Sequence, residues 1–179
     1  MTLYVDTSAL VRRYLHDRHR PMVLDAMATD DAWCASALVR SEAQVALHRA
    51  SVSSRQQHAL WRELRDEWEA FWVVPLDERC MARAVEVGAT YGVRIVDAIH
   101  LAAAVRQAGA GERVVITLDG RPVAQLGPLE PAGAPSLEEL AASGLVDPPR
   151  RADRPGPPDA LDAAVDVRLD RVLDEVRGA

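Results

Sequence analysis

Four carboxylate residues, Asp6, Glu42, Asp97 and Asp119, occupy positions from which they could meet at one place in a fold. Asp6 directly follows the short apolar run Leu3–Val5, and Asp119 follows a second apolar run that ends in ITLDG. The carboxyl ends of parallel strands lie at one edge of a sheet, where binding sites form. Four acids gathered at that edge would repel one another strongly unless a cation joined them.

Carboxylate oxygens are the ligands that Mg²⁺ and Mn²⁺ prefer. Such ions stabilise the charge that develops in phosphoryl transfer and lower the pKa of a bound water. The four acids therefore point to metal-assisted hydrolysis of a phosphodiester. Each acid also has a structural interpretation. Asp6 and Asp97 could cap helices, and Asp119 could belong to an Asp-Gly turn. Glu42 could be a solvated helix residue.

The spacing of apolar residues predicts strands that alternate with helices. We expect strands near 3–5, 33–35, 73–76 and 113–118. We expect helices near 7–16, 21–28, 37–50, 54–72, 78–91 and 96–108, then a short helical turn at 121–126. Helix-capping side chains are expected at the first, third and fifth helix, from Thr7 or Ser8, Ser36 and Asp77. This order indicates a three-layer α/β/α domain with a central parallel sheet of four to five strands.

The composition changes in the last third of the chain, where most of the prolines lie. We predict one domain over 1–130 and an appended tail over 131–179. The tail is expected to hold a short helix at 136–143, a linker rich in proline and arginine at 147–158, and an amphipathic helix at 159–177. An arginine of the linker could neutralise the acidic site, but a helix that braces a dimer or folds on a partner is the stronger interpretation.

Composition disfavours several classes of protein. No apolar run approaches the ~20 residues of a membrane span, and no signal peptide is visible, so we expect a cytoplasmic protein. All 21 basic residues are arginine, which disfavours enzymes that need a lysine, including the phosphoaspartate enzymes. The net charge of −6 argues against broad electrostatic binding of nucleic acid, although a local arginine patch is compatible with it.

Four segments of the chain carry a family resemblance: YVDTSALVRRYL (4–15), ASALVRSEAQVAL (35–47), VRIVDAIHLAAA (93–104) and VITLDG (115–120). In this order they resemble the PIN domains and, within that family, the VapC-type toxins of type II toxin–antitoxin systems. The segments span about two thirds of the chain. DAIHLAAA before a strand that ends in TxD is the most specific of these motifs.

The resemblance implies a catalytic, metal-binding quartet made of Asp6, Glu42, Asp97 and Asp119. It implies polar helpers at Thr7 or Ser8 and at Thr117. It also implies an endoribonuclease that depends on Mg²⁺ or Mn²⁺, acts on RNA, forms a homodimer and is neutralised by a cognate antitoxin. The family usually continues after the TxD strand with a helix and a hydrophobic strand, whereas residues 125–131 (QLGPLEP) make a poor strand.

Other residues have two interpretations each. Arg12, Arg13 and Arg40 are candidates for binding RNA phosphates, or they belong to a solvated helix face. His100 could orient a metal-bound water or RNA, but a histidine there more often packs and hydrogen-bonds inside the domain. Helical spacing favours a core or dimer contact over base stacking for the aromatic residues Trp61, Trp68, Phe71 and Trp72. The long helix at 54–72 has more large apolar residues than one face needs, which suggests a dimer.

Two alternatives to a nuclease stay open. The first is a PIN fold that binds RNA or protein without cutting, which the presence of all four acids disfavours. The second is a phosphoaspartate enzyme of the receiver or dehalogenase type. That type relies on a lysine, and the dehalogenases also use a DxD motif, whereas this chain has Asp6-Thr7-Ser8.

Overall fold

A computed structural model describes residues 2–29, 32–110, 114–118, 121–127 and 136–161, and for residues 114–118 and 121–126 it describes the backbone alone. Asp119 and most of the amphipathic helix predicted at 159–177 lie outside the described residues. Within the described part, no helix combines the length and the apolar character needed to cross a membrane.

The described residues form strands and helices in alternation along the chain. In order they are β1 (Thr2–Tyr4), α1 (Thr7–Arg12), α2 (Arg20–Thr29), β2 (Ala32–Ser36), α3 (Ala37–Ala50), α4 (Ser54–Trp68), β3 (Phe71–Val74), α5 (Glu78–Tyr91), α6 (Ile95–Gly109), β4 (Val114–Leu118), β5 (Arg121–Leu126) and α7 (Leu137–Ala142). Gly92 ends α5 in the left-handed conformation at φ 64°, which a residue without a side chain adopts at no steric cost.

The central sheet has the order β1-β2-β3, and both pairs are parallel. Strand β4 pairs antiparallel with β5, and β1 and β4 approach each other within 8 Å between Cα atoms. The predicted α/β class with a parallel sheet is confirmed. The predicted four to five parallel strands are not found, since the described residues pair three.

Helices cover both faces of the parallel sheet. Along β2, Trp33 and Ala35 pack into one hydrophobic cluster with residues of α1 to α4, while Cys34 packs into another with residues of α5 and α6. Side chains of a strand alternate between its two faces, so both faces of β2 are buried. This arrangement is the α/β/α layering expected from the sequence.

One predicted element and one predicted boundary are wrong. Residues 121–126 form strand β5 rather than a helical turn, and the Asp-Gly pair between the two runs is a known hairpin signal. The helix expected at 54–72 ends at Trp68, and the next aromatic residues, Phe71 and Trp72, belong to β3. Phe71 is buried in the core beside Trp68 at 5.1 Å between ring centroids, so these aromatic residues pack within the chain.

Residues 145–161, here called the C-terminal strap, pack against the domain although most of them form no helix or strand. Asp147 exchanges two backbone hydrogen bonds with Val73 of β3, at 2.9 and 2.7 Å. Farther along, Leu161 exchanges backbone hydrogen bonds with Tyr14 and His16, just after α1. The strap therefore covers the outer edge of β3 and reaches the far end of α1.

The three arginines of the strap contact groups away from the carboxyl ends of the strands, where the predicted acids are expected. Arg150 lies 3.5 Å from the carboxylate of Glu69, and Arg151 pairs with Asp153 within the strap. The guanidinium of Arg154 lies over the ring of Trp33 at 5.3 Å. Glu69 precedes β3, and Trp33 is near the start of β2, so these contacts lie toward the amino ends of the strands. The idea that a linker arginine neutralises the acidic site is wrong in this structure.

Candidate functional site

Asp6 lies between β1 and α1, and its side chain caps the N-terminus of α1. Its Oδ1 accepts a hydrogen bond from the amide of Ala9 at 2.9 Å, and its carboxylate also accepts from the hydroxyl of Ser8. The expectation that Thr7 or Ser8 is the cap is wrong, because Asp6 makes the capping bond itself. The cap fixes a half-buried carboxylate at the carboxyl end of β1.

Glu42 lies on α3 and is buried, with 5% of its surface exposed. The hydroxyl of Thr7 donates a hydrogen bond of 2.5 Å to Glu42 Oε2. Because Thr7 follows Asp6 in the chain, this bond brings Glu42 next to the residue pair at the end of β1. The interpretation of Glu42 as a solvated helix residue is wrong.

His100 of α6 joins the same carboxylate from the other side. Its Nε2 lies 2.7 Å from Glu42 Oε2, and its Nδ1 lies 3.1 Å from the hydroxyl of Ser36. Ser36 is the last residue of β2 and stands at the N-cap of α3, but its side chain makes no capping bond. His100 is buried and hydrogen-bonded inside the domain, as predicted, whereas the capping role predicted for Ser36 is wrong. These contacts form one buried network at the carboxyl edge of the sheet.

Asp97 lies in the first turn of α6, one helical turn before His100 on the same face. The cap of α6 is Arg94, so the interpretation of Asp97 as a cap is wrong. Arg94 Nε lies 3.2 Å from Asp97 Oδ2, and the Asp97 side chain is 36% exposed. The helix N-terminus also favours a negative charge at this position. Asp97 is thus a half-exposed carboxylate near the buried network.

The described residues bring together the elements that carry three of the four predicted acids: α1 with Asp6, α3 with Glu42 and α6 with Asp97. Within this described part, no group of three or more His, Cys, Asp or Glu residues is arranged to hold a metal ion. Asp119, the fourth acid, lies outside it. Thr117 lies in β4, where only the backbone is described. The donors are carboxylate oxygens, and their chemistry suits Mg²⁺ or Mn²⁺.

The arginines predicted to bind RNA differ from one another. Arg13 is buried, and its guanidinium lies 2.5 Å from Glu67, so its assignment to RNA binding is wrong. Arg12 has 16% of its side chain exposed and lies 3.6 Å from Asp17. Arg40 is half-buried on α3, two residues before Glu42. Of the three predicted arginines, Arg12 and Arg40 keep some exposed surface.

Ser36 is the residue of this network whose role the sequence did not indicate. It follows a short buried strand, as Asp6 follows β1, and that shared position is the signal that could have placed it at the site. Tyr4 lies below the same edge. Burial, and then the nearby Cys34, raise the pKa of the Tyr4 phenol, so this group is neutral at physiological pH.

The family model of the PIN domain matches residues 3–126, which is more than half of the chain. The chain therefore belongs to the PIN domain family. PIN domains are generally metal-dependent nucleases. The comparison with curated proteins returned no match.

Proposed function

We propose that this PIN domain protein is an endoribonuclease of the VapC type, dependent on Mg²⁺ or Mn²⁺, that acts as the toxin of a toxin–antitoxin system. The observation that carries the proposal is the buried carboxylate of Glu42, which Thr7 and His100 hold at the carboxyl edge of the sheet. A carboxylate is costly to bury, and two other elements supply the donors that hold this one at the edge where the sites of parallel α/β sheets form.

The chain's own residues would hold and orient the reacting groups. Asp6 is held by its own cap, Glu42 by Thr7 and His100, and Asp97 at the start of α6. Together with Asp119, which enters the proposal from the sequence, these acids would hold the cation, with Thr117 as a polar helper. A bound divalent cation would supply charge neutralisation at the phosphate and an activated water.

Arg12 and Arg40 are the two predicted arginines with surface left for an RNA phosphate, and they belong to the proposal. A cognate antitoxin and a second copy of the chain are further proposed partners, and both rest on the VapC resemblance. The argument for a dimer from one long apolar helix no longer holds, because its aromatic residues are shared between α4 and β3 inside the chain.

The chemical test is cleavage of a single-stranded RNA by the purified full chain with Mn²⁺. Asp97→Asn should lower the rate by about 100-fold or more, because a lost ligand charge is worth several kcal/mol and each 1.36 kcal/mol is tenfold in rate. Asp25→Asn, at an exposed position on α2, is the matched control and should cleave like the wild type. EDTA should abolish cleavage. Cleavage by D97N at the wild-type rate would contradict the site, and RNA binding without any cleavage would favour the non-catalytic PIN module.

The toxin role needs a separate test in growing cells. Induced expression of the wild-type chain should arrest growth, and Glu42→Gln, produced at the same level, should be harmless. Equal arrest by both proteins would exclude RNA cleavage as the cause.

A further inference from the structure

We propose that His100 is a positioning residue that sets the orientation of the Glu42 carboxylate for a divalent cation, and that Ser36 in turn fixes the imidazole ring. This inference rests on the proposed function, since it assigns a task to the residues around the same acid. It predicts that His100 controls metal affinity without touching RNA.

The chemistry of the carboxylate fixes the direction of one hydrogen bond. A carboxylate oxygen accepts, so at 2.7 Å the Nε2 of His100 donates its hydrogen to Glu42. The Nδ1 of the same ring lies 3.1 Å from the hydroxyl of Ser36, which can act as donor or acceptor. The contact with Ser36 therefore holds the imidazole ring in place whichever of the two groups donates, and the ring passes this constraint to Glu42.

Two donors converge on the same oxygen of Glu42. Thr7 donates to Oε2 from the start of α1, and His100 donates to it from α6. Because both donors belong to packed helices, the plane of the carboxylate is set by the fold rather than by the side chain's own torsions. Partners of this kind orient metal ligands in many sites and affect metal affinity when they are removed.

Burial makes the network rigid. Thr7 and Ser36 are fully buried, and Glu42 and His100 are exposed by 5% and 8%. In such surroundings a polar group that loses its partner has no water to replace it, so the groups stay paired. The low exposure of His100 also keeps it from contacting an RNA strand.

The unused cap of α3 is an independent observation in favour of this role. A serine at an N-cap ordinarily accepts a hydrogen bond from the first turn of its helix. Ser36 stands at that position and makes no such bond, and its hydroxyl faces His100 instead. In the same chain, Ser53 and Ser136 do cap α4 and α7. Helix α3 thus lacks a side-chain capping bond, and the Ser36 hydroxyl bonds to His100 instead.

The test measures Mn²⁺ binding to the purified full chain by isothermal titration calorimetry, without RNA. His100→Leu keeps the bulk but removes both hydrogen bonds, and it should weaken Mn²⁺ binding by about 10- to 100-fold. His100→Gln keeps a donor near the position of Nε2 and should restore most of the affinity. Ser36→Ala should cause a smaller loss. His58→Gln, at an exposed position on α4, is the matched control.

Several outcomes would overturn the inference. Mn²⁺ binding by H100L as tight as that of the wild type would do so, and so would H100Q binding as weakly as H100L, since packing would then explain the loss. If H100L does not fold, His100→Asn takes its place, because its shorter amide reaches toward Ser36 alone. H100N must then bind Mn²⁺ more weakly than H100Q.

RNA cleavage separates this inference from the function on which it rests. H100L should need more Mn²⁺ for half-maximal cleavage and show a lower kcat, with an unchanged KM for RNA. If the wild type binds Mn²⁺ but does not cleave RNA, the nuclease proposal fails, and the binding series still decides on His100. If the wild type cleaves RNA and H100L matches it in Mn²⁺ requirement, the positioning role alone fails.

Discussion

Glu42 and Glu67 are two buried glutamates in different parts of the domain, with 5% and 2% of their surface exposed. The hydroxyl of Thr7 and the imidazole of His100 hold Glu42. The guanidinium of Arg13 lies 2.5 Å from Glu67. The phenol of Tyr14 also donates a hydrogen bond to Glu67. The residue type and burial are alike, and the chemistry of the partners differs.

This difference separates an acid that stabilises the fold from one that we propose to be oriented for a divalent cation. Burial raises the pKa of Glu67, and the positive charge of Arg13 opposes that rise and compensates the carboxylate. Arg13 also lies over the ring of Trp33 at 4.9 Å, so the pair joins α1, α4 and the sheet. The hydroxyl of Thr7 and the imidazole of His100 approach Glu42 Oε2 from two different helices, so these two contacts orient the carboxylate. At Glu67 the guanidinium of Arg13 supplies a compensating charge.

The largest expected effect comes from removing the chain after residue 130. Truncation after Glu130 removes Leu140 and Val146, both buried in the hydrophobic cluster that α5 and α6 form on one face of the sheet. Each buried side chain of this size contributes about 1.5–3 kcal/mol, and each of the two bonds between Asp147 and Val73 about 1 kcal/mol. We expect the free energy of unfolding in urea to fall by about 5 kcal/mol or more.

Truncation after Leu161 is the control, because it keeps the contacts of the strap that the structure describes. RNA cleavage by the protein truncated after Glu130 should be lower than that of the full chain, since the fold is weakened. Faster cleavage by the shorter protein would instead support inhibition of the site by the tail.

The next effect compares the two glutamates directly. Arg13→Ala leaves the charge of Glu67 buried without its cation, which costs about 3–5 kcal/mol of stability. Glu42→Gln keeps the shape of the side chain and should change stability by only about 1 kcal/mol, the net worth of a typical hydrogen bond. RNA cleavage should show the reverse order under conditions where both variants are folded, with E42Q inactive. A loss of stability by E42Q as large as that of R13A would remove the distinction between the two regions.

Much of the fold could be predicted because its signals are local. The ends of α3, α5 and α6 follow from helical spacing and from breakers such as Gly92. The aromatic run at 68–72 was ambiguous, since a short apolar run fits either a helix end or a buried strand. The strap had no periodic signal at all. Its contacts join residues far apart in the chain, such as Leu161 and Tyr14, and no local pattern records them.

For the site, the sequence predicted where the acids lie relative to the strands, but it did not predict which side chains contact one another. The edge of a parallel sheet predicted where Asp6 would lie, and Thr7 links it to Glu42 as that argument expects. Arg12 and Arg13 are neighbours and look alike in sequence. A helix turns by about 100° per residue, so one of them points into the core toward Glu67 while the other keeps an exposed surface.

The smallest expected effect concerns a second aspartate that caps a helix, Asp77 at the start of α5. The amide of Cys80 donates to its Oδ1, and Arg106 lies 2.7 Å from the same atom. The cap, and then Arg106, hold the pKa of Asp77 below its ordinary value of 3.8. A depressed pKa in the folded state means that the charged form stabilises the fold. That contribution is fully present above the ordinary pKa and is lost as the pH falls through the folded one.

A double-mutant cycle with Asp77→Asn and Arg106→Gln isolates this pair from every other group that titrates in acid. The coupling between the two substitutions, measured from urea unfolding, should be constant from pH 7 to 5 and should shrink below about pH 4, where the carboxylate takes up a proton. Because Asp77 is exposed to solvent, salt should weaken the coupling at pH 7, whereas the buried pair of Arg13 and Glu67 should respond less to salt. A coupling that persists unchanged at pH 2.5 would show that Arg106 acts on Asp77 through packing rather than charge. The distinction between a carboxylate neutralised by a cation and one oriented by hydrogen bonds would then apply only to the two buried glutamates, Glu67 and Glu42.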